Sequence, residues 1–205
     1  MQRRFEQLYG LEPHSPVSEY LIPHERAARL PGGGSRTLIT QEAGELSLGV
    51  VLEGSVGSRL AAQDPRVRLS SGNLAPFCTL AEEVSHFVYL LFCARNDRST
   101  TQLELELVGE VDKYLTAAHV LSLQNEGALS GGLRELLFRH YRLSDGLSQE
   151  QAERYRKASQ LAERYCAFLE QRFLRPHHRA GLQREARRFY RLDQRGKLER
   201  ISSLT

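Results

Sequence analysis

No Cys-x-x-C pair, no paired-ligand zinc pattern and no apolar run of ~18 residues occur in this 205-residue chain. Each absence excludes something. The three cysteines, Cys78, Cys93 and Cys166, are odd in number and far apart, so neither a disulfide framework nor a zinc knuckle is expected. The longest apolar run, Phe87 to Ala94, suits a buried stretch of helix, and no membrane partner is expected. The opening MQRRFEQLYG has charge but no apolar segment behind it, which argues against a secretory signal and for a cytoplasmic location. G-x-S-x-G and G-x-G-x-x-G are absent, as are internal repeats and low-complexity blocks. The triple glycine in LPGGGS (30–35) lacks the Gly-Lys-Ser/Thr of a phosphate loop. It runs through Ser35 and Arg36 into the β-rich TLIT, so it reads as a connector.

What is present is the composition of a soluble globular protein, 40% apolar and 26% charged. Charge is unevenly spread. Residues 1–133 hold 11 Lys/Arg against 16 Asp/Glu, and residues 134–205 hold 17 against 9. A basic final third on an acidic body suits either docking of the two parts or contact with nucleic acid.

The pattern predicts a mainly α protein with a small β-hairpin. Residues 1–35 read as an N-terminal arm of short helical pieces broken by Pro13, Pro16 and Pro23, with the glycine-rich connector at its end. Residues 36–205 read as one globular domain. TLIT and LSLGVVL make a hairpin over 37–52 with Gly44 at the turn, and RVRLS (66–70) is a candidate third strand. SVGSRLAAQD (55–64) reads as a short helix ending before Pro65. Long antiparallel helices are predicted over 74–94, 100–124 and 148–174, with a short helix over 133–141 and a basic C-terminal helix over 179–192. Ser99 with Gln102, and Ser148 with Gln151, have capping-box spacing. The run LELEL (103–107) alternates like a strand, but leucine and glutamate are strong helix formers in a long segment, so helix is preferred.

The chemistry-bearing residues cluster in LAEEVSHFVYLLFC (80–93). On a helix, Phe77, Leu80, Ala81, Val84, Val88 and Leu91 form an oily stripe, with Glu82, His86, Tyr89 and Cys93 nearly opposite. In the next helix Glu104 and Glu110 fall close to the apolar stripe Leu103, Leu107, Val111, Tyr114, Ala118 and Leu121, where an acid needs a partner. Antiparallel pairing about Asp97 sets His86 level with Val108, with Glu106, Glu110 and Asp112 within about one 5.4 Å turn. If the second helix covers the oily stripe of the first, His86 points away from it.

Glu83-x-x-His86 has the carboxylate–histidine spacing used in di-iron bundles, though no second copy exists. EEVSH sits in the H-E-x-x-H frame with Glu82 in place of the first histidine. Glu83, His86 and Glu110 are therefore the candidate acid/base or metal-binding residues, and His86 could equally be a tuned core histidine. No cofactor is required by the sequence, and a divalent metal is the alternative. In REARRFYR, Arg184, Arg187, Arg188 and Arg191 are candidate phosphate contacts, with Tyr190 free to stack on a base. The functional expectation is a helical protein-interaction module that binds a protein partner or itself. A Glu/His metal or acid/base enzyme is the first alternative, and nucleic-acid binding through the basic helix is the second.

Overall fold

The computed structural model describes residues 1–30, 32–42, 45–139 and 147–204. In chain order the elements are α1 (Gln2–Tyr9), a 3-10 turn (Val17–Tyr20), α2 (His24–Ala27), β1 (Arg36–Glu42), β2 (Glu45–Val51), α3 (Gly54–Ala62), α4 (Leu74–Arg95), α5 (Gln102–Gln124), α6 (Leu133–Phe138), α7 (Gln149–Leu169) with a π turn (Glu170–Leu174), α8 (Arg179–Arg191) and α9 (Gln194–Ser202). The fold is mainly α with one two-stranded antiparallel sheet, in register from Arg36 opposite Val51. Pro31, Gly44 and the end of the predicted 133–141 helix lie outside the described residues.

Local chemistry accounts for most boundaries. Ser148 and Gln151 form the predicted capping box at the head of α7. At α5 the cap is Thr101, not Ser99. Its hydroxyl accepts the Glu104 N–H at 3.1 Å, which sets the first helical residue at Gln102. LELEL is helical. The candidate strand 66–70 is a turn instead, because Asp64 Oδ1 accepts the Arg66 N–H at 2.8 Å and the Asp64 carbonyl accepts from Val67 and Arg68. The helix over 194–202 was not foreseen. Asp193 caps it by accepting the Gly196 N–H at 2.7 Å.

The α4–α5 link is short and the two helices run antiparallel, as predicted. Down the pair, Glu82 meets Lys113, Ser85 meets Asp112, His86 lies on Gly109 and Tyr89 meets Glu104. The third long helix departs from expectation. Glu106 has Tyr155 as a neighbour, and Tyr114 donates to Glu170 at 2.9 Å, so residue numbers climb together and α7 runs parallel to α5. A connection running from 125 to 148 is long enough to carry the chain back along the bundle before α7 begins. The apolar stripe of α5 packs on α7 through Leu107, Val111, Tyr114 and Ala118 against Ala162, Tyr165, Cys166 and Leu169.

Helix α4 is covered on both sides. Phe87 and Val88, with Val84, pack with Val50 of the hairpin and Phe5 of α1, and Tyr20 lies 4.8 Å from Phe87 between ring centres. Its opposite face meets α5. By length and apolar content α4 could cross a membrane, yet 67% of its most apolar window is buried inside the fold, the position of a core helix. Helix α1, expected in a separate arm, is drawn into the core. Phe5 and Tyr9 are buried, and Tyr9 stacks on Tyr190 of α8 at 3.8 Å.

Candidate metal centre

His86 projects from α4 onto α5 at Gly109. A Cβ at Gly109 would stand 2.8 Å from His86 Nε2 and 3.5 Å from Glu82 Cγ, so only glycine leaves room for the imidazole there. The oily stripe of α4 thus faces the hairpin and α1, and the polar face meets α5. This reverses the orientation that would have pointed His86 away from α5.

Four carboxyl groups surround the imidazole and its neighbours. Glu106 Oε2 lies 3.7 Å from His86 Nε2, and Glu83 Oε2 lies 3.9 Å from Nδ1. One donor atom each from Glu82, His86 and Glu106 falls within 4.8 Å of the others. Among the described residues, neither His86 Nε2 nor Glu106 Oε2 has a hydrogen-bond partner, although both atoms are buried. Two unpartnered polar atoms 3.7 Å apart, in a site held open by a missing Cβ, is an arrangement protein interiors rarely tolerate.

Neighbouring elements hold the acids in place. Thr37 Oγ1 of β1 donates to Glu83 Oε2 at 2.8 Å, and Tyr155 of α7 stands beside Glu106. Lys113 Nζ donates to Glu82 Oε2 at 3.0 Å and to Glu110 Oε1 at 2.7 Å. Burial, reinforced by the charge of Glu82, pushes the Glu83 and Glu106 carboxyls up to about 8. Burial pulls the His86 imidazole down to about 4, against the pull of Glu82, and so keeps it neutral at pH 7. Burial also acts on Glu82, but the Lys113 ammonium outweighs it and holds that carboxyl low. Acids crowded in this way stay protonated unless a cation joins them, and a neutral imidazole is the form that donates a lone pair to a metal.

The donor set fits a divalent transition ion. One imidazole nitrogen and two carboxylate oxygens suit zinc, iron or manganese and leave further coordination positions. Glu82 is the most exposed of the three, its side chain 21% accessible against 8% for His86 and 10% for Glu106, so solvent reaches the cluster on the Glu82 side.

Of the residues predicted from sequence, Glu83 and His86 come together, but Glu83 lies on the Nδ1 side under Thr37. Glu110 does not reach the imidazole group. Its carboxylate is engaged by Lys113, one turn further along α5. Glu106 takes its place, and Glu82, the residue in the H-E-x-x-H frame, completes the triad. The mid-helix Gly109 was the usable signal: a glycine inside a helix marks a close approach, and Glu106, three residues earlier, shares its face.

The basic helix is placed differently from the expectation. Arg187 donates to the carbonyls of Leu8 and Gln7 at 3.1 and 3.2 Å, and Arg191 to those of Tyr9 and Gly10 at 3.0 and 3.4 Å. These two arginines cap the C-terminus of α1, where a helix presents unpaired carbonyls and partial negative charge. All four arginines, Arg184, Arg187, Arg188 and Arg191, are exposed, while Tyr190, the expected stacking residue, is only 1% accessible. Cys78, Cys93 and Cys166 are buried free thiols.

No family model matches the chain, and neither a curated protein nor a solved structure matches it.

Proposed function

We propose that the protein is a divalent-metal protein whose ion is held by Glu82 and His86 of α4 and Glu106 of α5. The observation that carries this reading is the buried pair His86 Nε2 and Glu106 Oε2, 3.7 Å apart and each without a partner among the described residues. The i, i+4 pair Glu82–His86 supplies two ligands from one helix face, and Glu106 closes the third side. Three protein ligands make an open centre of the catalytic kind, not a closed structural one. A metal there would supply Lewis acidity toward a bound water or an oxygen-bearing substrate. Glu83, fixed by Thr37, stands 3.9 Å from Nδ1, and Tyr155 stands beside Glu106, so each of these two ligands is flanked by a polar group of a neighbouring residue.

The test is stoichiometric uptake. The purified protein, stripped with chelator, is titrated with Mn²⁺, Co²⁺ and Zn²⁺, and bound metal is counted by mass spectrometry. One ion per chain is expected, and its loss in both His86→Ala and Glu106→Gln. No uptake, or uptake kept in both variants, would overturn the reading.

A second reading, self-association of a helical module, is favoured by an open apolar groove of about 430 Å³ between α4, α5 and α6. Leu69, Leu74, Leu121, Leu133 and Leu136 line it, and Leu136 is 46% exposed. Under that reading, sedimentation shifts with protein concentration and Leu136→Glu abolishes the shift. A monomer at every concentration removes it.

A further inference from the structure

We propose that Lys113 is a built-in cation of this centre and sets its metal affinity by competing for Glu82. The inference rests on the reading that Glu82, His86 and Glu106 hold a metal.

Lys113 Nζ lies 3.0 Å from Glu82 Oε2 and 2.7 Å from Glu110 Oε1, with its side chain 16% accessible. Glu82 therefore belongs to two sets at once. One of its oxygens can come within 4.8 Å of both the His86 and Glu106 donor atoms, while Oε2 receives the ammonium. An ion bound by the triad sits within a few ångströms of a fixed positive charge, and the two repel in a site of low polarisability. The ammonium also draws electron density and orientation from the same carboxylate the ion needs. Lys113 thus holds the acids together when no metal is bound and lowers affinity when one is.

Glu110 is the second half of the device. It lies at i−3 from Lys113 and shares the ammonium with Glu82. While Glu110 keeps part of the lysine's charge, Glu82 is partly free to turn to a metal. Without Glu110, the ammonium falls wholly on Glu82. The two residues should therefore act on metal affinity with opposite sign. A purely structural ion pair predicts no such split, because breaking it from either side would loosen the same contact.

The experiment measures affinity for Zn²⁺ and for Mn²⁺ by competition with a fluorescent chelator. It compares the full-length chain with Lys113→Met, Lys113→Arg and Glu110→Gln, each checked for its helical signal and melting temperature. Lys113→Met is expected to bind at least about tenfold more tightly, since removing one neighbouring charge is worth that order of magnitude. Lys113→Arg, which keeps the charge, should stay within about threefold of the unaltered chain. Glu110→Gln should weaken binding several-fold. Equal or weaker binding by Lys113→Met overturns the inference. If that variant does not fold, Glu110→Gln decides alone: unchanged or tighter binding there overturns it. When the unaltered chain binds metal, loses it in His86→Ala and shows no change in Lys113→Met, the metal reading stands and this one fails. When no protein in the series binds metal, both fail together.

Discussion

The α4–α5 pair carries two buried polar clusters about one turn apart, and they are built on different terms. In one, Lys197, fully buried, donates from Nζ to Tyr89 Oη and Glu104 Oε1, both at 2.9 Å, and to the carbonyl of Leu192. Arg98 joins from the interhelical link, donating to Glu104, to Tyr89 Oη at 2.8 Å and to the Arg191 carbonyl at 3.1 Å. Burial pulls the Lys197 ammonium down to about 8 even beside Glu104. Lys197, Glu104 and Tyr89 all find partners there, and the result ties α9 and the end of α8 to the bundle. One turn away, His86 Nε2 and Glu106 Oε2 lie 3.7 Å apart, and neither atom has a hydrogen-bond partner among the described residues. The two clusters thus separate into a largely saturated one that fastens helices, with Arg98 Nε its unpartnered atom, and one in which an imidazole nitrogen and a carboxylate oxygen are left with capacity to bind. Burial does not distinguish them, since both clusters are buried; the share of hydrogen bonds made does.

Breaking the saturated cluster should cost most. Glu104→Ala leaves the Lys197 ammonium and the Arg98 guanidinium without their carboxylate, and a loss of about 3–5 kcal/mol is expected in urea unfolding. Metal stoichiometry of the folded fraction should not change. Gly109→Ala sharpens the comparison from the other side. The new methyl group meets His86 Nε2 at 2.8 Å, so a loss of about 1–3 kcal/mol is expected together with weakened metal uptake. Milder strain with full uptake would mean the glycine does not shape the site. The smallest effect should come from His86→Leu in chelator. The imidazole makes no hydrogen bond at Nε2, and leucine is close to it in volume, so stability should stay within about 1.5 kcal/mol of the unaltered chain. A loss as large as that from Glu104→Ala would show that the histidine fastens helices after all and erase the contrast.

How much of this could be read from residues alone depended on which coordinate of a helix was asked for. Height along the α4–α5 pair was legible, because a link as short as 96–101 forces an antiparallel return, and His86 does sit at the level of residues 108 and 109. Rotation was not. Helix α4 is apolar on most of its circumference, so the stripe Phe77–Leu91 did not mark the face that meets α5, and the hairpin claimed it instead. That one angle moved the predicted partner of His86 from Glu110 to Glu106. The sense of α7 was hidden for a different reason: a link as long as 125–148 permits either direction. Helix α9 was missed because its sequence, QRGKLERIS, shows one apolar pair and no stripe, while the residue it buries most deeply beside Ile201 is a lysine.

The seam between α1 and α8 has a consequence for biogenesis. Arg187 and Arg191 grip carbonyls 179–182 positions away, so the seam waits for the residues of α8 to be made, well after Phe5 has gained α4 to pack on. At bacterial or eukaryotic synthesis speeds that wait is roughly 10–35 s. During it Tyr9 lacks the Tyr190 ring that stacks on it, and the last carbonyls of α1 are left to water.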